Sequence, residues 1–552
     1  GRPILFQTGP GNAWLARAWS ASVPYPYGTV IGQDVFQSGV IPSDTDFRVF
    51  RDDGRLTGID YALVRDGWKY HTRLDTVNAI APGSLQEMGS NVLALLRSLA
   101  NRSALPRSSS ESAVYYDLAG LAMVAYPESL ARLLAIGLIA IAVGAWIAAT
   151  VRRKTRIGAT LAGLLVAIVA FALPLAAAAG AGLAGPALGR AHRWYAVAGP
   201  ALGAWVAAAL VGVLIAASIG SLLLRGSDLR RRQGAIAAGS ALLWAVVVAL
   251  GSAAGIGSTY LAVWWLAAAC VTALSAAFVP RATTAVAFLA LLPPLVLTLQ
   301  LSRLLVDVFV PISGRMLSSI PFDPILAVLA ALPVVLSAPQ AAVWLQGVGG
   351  KTFAGALLLG FAVVSLAISL GQFPYSPSKP QRVDVRHVEG PAITWIEFEL
   401  LDDPGARSPH RDLFGGLKPE RIGEATFALP AARREIALPI QSAVVPEGAN
   451  RKLLLDLGPG PWHEAVLELP EGRVEGWTVW TERGSFAGKE RRLRLVNLPA
   501  TVAVTIRGAS PAIATLEVRS AVKTPELVET LRRMPDWTAP DGTVVVRRRI
   551  GM

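Results

Sequence analysis

Between Ser129 and Gly371 the chain passes through about eight apolar stretches, each close to the ~20 residues an α-helix needs to cross a bilayer. They fall near 129–150, 158–182, 197–223, 234–253, 258–279, 282–305, 322–345 and 353–371. An ordinary soluble core has no use for so many long apolar runs, so the middle of the chain reads as an all-α bundle of transmembrane helices. A hydrophobic fraction of 53% and a mean hydropathy of +0.48 agree with this. Charge and turn residues gather in the flanks, which read as soluble domains. The expected division is 1–105, a linker at 106–128, the membrane bundle at 129–371 and a β-rich domain at 372–552.

The formal net charge of +13 would suggest nucleic acid in a soluble protein. Here many basic residues sit between spans, where they set topology. The first, third, fifth and seventh connections carry Arg152, Arg153, Lys154 and Arg156, then Arg225, Arg230, Arg231 and Arg232, then Arg281, then Lys351. The other side carries only Arg132, Arg190, Arg193, Arg303 and Arg315. The bias puts the odd connections in the cytoplasm and both flanks outside it, with the bilayer and not nucleic acid as partner. That outside is the periplasm for a bacterial plasma membrane, which the alanine-rich spans favour, or a vacuolar or reticulum lumen in a eukaryote. Cys270, the single cysteine, lies in a span, so no intrachain disulfide or Cys-type zinc site is possible.

Residues 1–105 read as the end of an α/β domain. Strands are expected at Pro3–Gln7 and Ile59–Val64, and helices at Asn12–Ala21 and Ser84–Leu99. The second helix would bury Leu85, Met88, Val92, Leu95, Leu96 and Leu99. Two strands cannot bury both faces of a sheet, so the rest of the sheet is expected from sequence ahead of Gly1. After residue 380, short alternating runs punctuated by Pro, Gly and Asn predict an antiparallel β-sandwich. Those runs are Ile393–Leu400, Arg434–Leu438, Lys452–Leu457, Ala465–Leu469, Trp477–Trp480, Arg491–Leu495, Thr501–Ile506 and Ala514–Arg519. Its tryptophans read as core, and Arg547–Arg549 as a solvated tail.

Chemistry is concentrated near the amino end. FQTGP, then DVFQSGVIPSDTDFRVF, then GIDYALV and YHTRLDT resemble the zinc exopeptidases of family M-28. The resemblance is closest to the membrane-embedded branch of endoplasmic reticulum and vacuolar metallopeptidases. YYDLAGLAMVAYP entering the first span and FPYSPSKPQRV leaving the last resemble that branch too. It implies a peptide or protein substrate, aminopeptidase-type hydrolysis, nine spans with one ahead of the peptidase domain, and two zinc ions at the carboxyl ends of the sheet. Those ions would be held by His, Asp, Glu, a second acidic residue and a final His.

His71, within Tyr70-His71-Thr72, matches that final histidine, and Asp75 or a backbone carbonyl would hold its other ring nitrogen. An isolated loop histidine reads as a surface or capping residue; the motif reverses this. Ser43-Asp44-Thr45-Asp46 matches a loop beside the metals, where Asp44, Asp46 and Arg48 would bond a ligand or the substrate amine. The same residues also compose a plain Asx turn. The first His-x-Asp pair, the Glu-Glu pair with the general base and the next acidic ligand lie upstream in family order. Asp34, Asp44 and Asp46 have no spacing that supports them as substitutes. One ligand cannot hold a zinc ion, so this chain alone is expected to be inactive.

Two other classes compete with the peptidase: a non-catalytic membrane scaffold or chaperone, and a transporter. The polar residues Gln300, Arg303 and Asp307 near the end of the sixth span lie close to the outer interface and read as snorkelling side chains or as an Arg-Asp pair at i, i+4. His192, Arg193 and Trp194 read as an interfacial belt. Oligomeric state is not legible.

Overall fold

The structure, a computed structural model, describes residues 2–39, 45–69, 74–106, 111–153, 157–313, 322–402, 412–423, 425–431, 441–456, 463–469, 475–481, 484–496, 501–507 and 513–551. Two compact units emerge. One joins Gly1–Gly185 with Val197–Gln372, the other Pro186–Ala196 with Phe373–Met552.

In the first unit, β1 (Pro3–Gln7), α1 (Ala13–Ser22), α2 (Ile31–Gln37), β2 (Asp60–Leu63) and α3 (Ser84–Ala100) form the α/β segment. β1 and β2 pair antiparallel, with Leu5 opposite Tyr61. Trp19 of α1 is fully buried and meets Tyr61 edge-on, with ring centroids 4.7 Å apart. α3 buries only part of the face its leucines predict: Leu95 is buried and Leu99 packs against the core, as expected, but the rest of the buried face is polar. Ser84, Asn91 and Leu95 are buried, while Leu85, Val92 and Leu96 are exposed. Asn91 accounts for this: its amide donates to the Tyr25 carbonyl (2.8 Å) and the Tyr61 hydroxyl (2.7 Å). A buried amide with its partners in place outweighs three apolar contacts.

The stretch read as a linker holds a hairpin of β3 (Ala113–Leu118) and β4 (Ala122–Pro127), with Tyr115 fully buried. β4 runs directly into the membrane bundle of α4 (Glu128–Arg153), α5 (Ile157–Ala187), α6 (Ala198–Leu223), α7 (Leu229–Ala253), α8 (Thr259–Phe278), α9 (Thr283–Ser313), α10 (Asp323–Leu345) and α11 (Lys351–Gly371). All eight are long and apolar enough to span a membrane. Small residues let the backbones approach: a Cβ on Gly239 of α7 would come within 2.3 Å of the Gly163 carbonyl carbon of α5. Polar side chains inside find partners across helices, as Ser240 does on the Pro339 carbonyl (3.1 Å).

The second unit holds β5 (Gln381–Glu389), β6 (Thr394–Leu400), β7 (Glu420–Arg421), β8 (Thr426–Pro430), β9 (Gln441–Glu447) and β10 (Asn450–Asp456). It continues with β11 (His463–Glu468), β12 (Gly476–Thr481), β13 (Gly484–Gly488), β14 (Arg492–Val496), β15 (Thr501–Arg507), β16 (Ile513–Ser520), α12 (Pro525–Arg533) and β17 (Thr538–Gly551). One sheet runs β14-β11-β16-β17-β5-β6-β8-β7, the other β13-β12-β15-β10-β9. Leu453, Val504 and Ile506 of the smaller sheet share a core with Leu467, Leu516 and Val518 of the larger, which makes a sandwich. Every neighbouring pair is antiparallel except β17 with β5.

Three expectations are corrected here. Arg547–Arg549 is not a solvated tail but part of β17, where Arg547 pairs with Glu517 (2.9 Å) and Arg548 with Glu389. Trp480 is 53% exposed and not core. His192, Arg193 and Trp194 form no interfacial belt. They are buried in the second unit, His192 Nδ1 lying 3.3 Å from the Leu401 carbonyl. The run Arg434–Leu438 lies outside the described residues.

Candidate active site

The carboxyl end of β1 carries a polar shelf. The chain leaves the strand through Thr8-Gly9, with Gly9 at φ +74, a left-handed conformation that glycine adopts without strain. The Gln33 side-chain oxygen accepts both the Thr8 and Gly9 amides at 3.1 Å, and Asn12 donates to the Thr8 carbonyl at 2.7 Å. The backbone turn is therefore fixed by two nearly buried amides.

Asp60 opens β2 beside this turn. Its carboxylate accepts the Gln7 amide (3.2 Å) and the Thr45 hydroxyl (2.7 Å). Arg51 donates to the Gln7 side-chain oxygen (3.1 Å) and pairs with Asp52 (2.6 Å). The hydrogen bond from Arg51 holds the Asp52 carboxyl below the usual carboxylate range. The Asp60 bond therefore holds Thr45 at the strand end. Asp60, Gln7, Gln33 and Arg51 did not stand out as site residues. The signal for Asp60 was its place in Gly58-Ile59-Asp60 at the head of a strand.

Among the expected site residues, Asp46 and Arg48 lie exposed on the turn after Thr45, and Asp75 is exposed before a short 3-10 turn at Val77–Ala79. Asp44, Tyr70 and His71 lie outside the described residues. Among the described residues no group of three or more His, Cys, Asp or Glu side chains could hold a metal ion. They do not fit a zinc pair on their own, since each catalytic ion takes about three protein donors. No hydrolytic step is drawn through them.

Asp34 has a different employment. Its carboxylate accepts the amides of Gly257 (3.1 Å) and Ser258 (2.6 Å) at the start of α8. Close by, Thr29 and the Tyr260 hydroxyl lie 3.2 Å apart, and Tyr116 stacks on Tyr260 at 4.2 Å. Trp264 Nε1 donates to the Tyr116 hydroxyl at 3.0 Å. Burial pushes the Tyr116 phenol up, so it stays a neutral hydrogen-bonding group. On α9, Gln300 donates to Asp117 and accepts the Ala119 amide at 3.0 Å. Asp117 also accepts the amides of Gly28 (3.2 Å) and Gly120 (2.7 Å), while burial raises its pKa. The α/β segment is thus fastened to the bundle at α8 and α9.

Residues 1–96 match the model of Peptidase family M28, and residues 186–344 match Endoplasmic reticulum metallopeptidase 1, TM domain. The chain is 30% identical over 410 residues to Endoplasmic reticulum metallopeptidase 1 of Rattus norvegicus, covering 70% of this chain and 45% of that protein. It is 45% identical over 138 residues to Putative endoplasmic reticulum metallopeptidase 1-A of Caenorhabditis elegans, covering 24% of this chain and 15% of that protein. To the Vacuolar membrane protease of Schizophyllum commune it is 33% identical over 134 residues, covering 23% of this chain and 14% of that protein. The chain therefore spans less than half the length of these curated relatives. No solved structure matches.

Proposed function

We propose that this chain, whose residues 1–96 match Peptidase family M28 and whose residues 186–344 match the TM domain of Endoplasmic reticulum metallopeptidase 1, is part of a membrane-bound, zinc-dependent peptidase. We assign it aminopeptidase-type hydrolysis of peptides on the non-cytoplasmic side. The observation that carries the reading is a juxtaposition. The segment matching the peptidase family is fastened by Asp34 to the start of α8, and the β3–β4 hairpin after it by Gln300 to α9, so a peptide-handling surface is held at one end of the spans.

Within that reading His71 is a zinc ligand through a neutral ring nitrogen, and Asp75, four positions on, is the acceptor that orients it. Tyr70, Asp44, Asp46 and Arg48 border the substrate. The polar shelf of Gln7, Thr45, Arg51 and Asp60 supports the assignment, because it holds Thr45, the residue before Asp46, at the end of β1. In this reading the remaining metal donors and the general base lie outside the described residues. This rests on the donor deficit among the described residues and on the greater length of the relatives. The donor deficit also favours a second reading, a non-catalytic membrane scaffold derived from the peptidase.

Expression in membranes separates the two. Release of amino acids from peptides is assayed for residues 1–552 and for the longer natural reading frame. The peptidase reading expects hydrolysis only from the longer form, lost with a chelator and with His71→Ala. A longer frame that brings no hydrolysis leaves the scaffold reading standing.

A further inference from the structure

At the opposite end of β1 from the polar shelf lies a cavity of 760 Å³, walled by the α/β segment on one side and by α9 on the other. Five residues of strand separate the two ends by on the order of 15 Å, so this is a different place from the candidate active site. Its α9 wall changes character along the helix. Val296, Leu297 and Leu301 are apolar, and one to two turns later come Arg303 and Asp307, at the end of the span. Arg65 lines the same mouth from the α/β segment.

Which of these charges are free decides the ligand. Arg2 pairs with Glu87 at 3.8 Å and covers the Tyr27 ring at 5.0 Å. Asp117 is occupied by two backbone amides and Gln300. Arg303 and Asp307 close no ion pair with each other, contrary to the i, i+4 expectation, and both line the cavity. That leaves two guanidinium groups and one carboxylate at the mouth of an apolar wall, at the depth of a membrane interface. Two guanidinium groups recognise a phosphodiester. A carboxylate beside them recognises a primary ammonium. A quaternary ammonium would need open aromatic faces, and Tyr116 and Tyr260 have theirs closed against each other.

We propose that this cavity binds a phospholipid whose headgroup carries a phosphodiester and a primary ammonium. Arg65 and Arg303 hold the phosphate, Asp307 holds the ammonium, and the acyl chains run down α9 past Leu301 and Val296. The volume lies within the range of small-molecule sites and admits a headgroup with the upper part of its chains. The apolar wall distinguishes a lipid from a free phosphate ester of the same headgroup. This proposal stands apart from the peptidase assignment and survives its failure.

The test is lipid retention measured by native mass spectrometry on the full chain, extracted and exchanged into nanodiscs holding equal parts phosphatidylethanolamine, phosphatidylcholine and phosphatidylglycerol. The expected result is an approximately tenfold preference for phosphatidylethanolamine, the worth of one charge-assisted hydrogen bond. Asp307→Asn should abolish the preference over phosphatidylcholine, and Arg303→Gln should weaken retention of all three lipids. Arg65→Gln, outside the bundle and not needed for its folding, should reproduce the Arg303 effect. Equal retention of the three lipids, or a preference untouched by Asp307→Asn and Arg65→Gln, overturns the proposal. So does displacement by soluble glycerophosphoethanolamine at the lipid's own affinity, which would make the apolar wall irrelevant.

Discussion

The carboxylate of Asp34 accepts the backbone amide of Ser258 at 2.6 Å, across 224 residues of sequence. Ser258 precedes the first turn of α8 and makes no side-chain cap of its own. A residue of the segment matching the peptidase family therefore does the capping of a membrane helix, and its negative charge faces the positive end of that helix.

Removing this cap should loosen the junction without touching the α/β core. Asp34→Ala is expected to cost ~1–2 kcal/mol and Asp34→Asn less, since the amide oxygen still accepts one bond. The readout is the melting midpoint in detergent, with hydrogen–deuterium exchange over residues 256–260. Unchanged exchange there would show that the cap contributes nothing.

In the second unit, Arg382 and Asp402 form an ion pair at 2.6 Å with side chains 4% and 0% exposed. Burial works against the Arg382 charge, but the Asp402 carboxylate outweighs it and the guanidinium pKa is raised. The same carboxylate accepts the Arg382 amide (2.9 Å) and the Tyr195 hydroxyl (3.1 Å). Asp402→Ala should destabilise this unit by about 3–5 kcal/mol by stranding the guanidinium. The double change Arg382→Met with Asp402→Leu should cost less than either single change. Denaturant melts followed by exchange at β5 decide it.

Acid should loosen the same sandwich through His387. The ring is fully buried, its Nδ1 is 2.6 Å from Thr524 Oγ1, and its Nε2 is buried without a partner among the described residues. Burial lowers its pKa from the ordinary 6.5, although Glu526 and Glu389 favour the charge. A base with a depressed folded pKa binds its proton more readily when unfolded. The contribution is therefore fully present above 6.5 and shrinks as pH falls below it toward the folded value, by at most about 1.4 kcal/mol per unit. The protection factors of β5 and α12, with the intrinsic pH dependence of amide exchange divided out, should fall from pH 7.5 to 5.5, and His387→Gln should remove most of that fall. A wild-type profile flat over that interval would contradict the burial argument.

What could be read in advance divides by range of interaction. The membrane helices announce themselves locally, because a run of apolar residues long enough to span is its own evidence. The start of α3 was legible, but its inward face only in part: Asn91 finds its partners at Tyr25 and Tyr61, and nothing in the spacing of the leucines reports that. Asp34 was weighed as a spare metal donor because its partner lies 224 residues away. The arginine run at 547–549 looked solvated for the same reason, its partners Glu517 and Glu389 being on other strands. For the candidate site, the motif pointed to Asp46 and Arg48, while the Thr45–Asp60 bond beside them is visible only in three dimensions.

The proposal that His71 belongs to a metal site which the described residues do not complete by themselves can be tested directly. Zinc bound per chain, measured by mass spectrometry on residues 1–552 purified from membranes and equilibrated with excess zinc, tests it most directly. The account predicts no tightly held ion after desalting and no peptide hydrolysis. Two retained zinc ions with hydrolysis, both lost in His71→Ala, would contradict it, because they would require a donor set that the described residues lack.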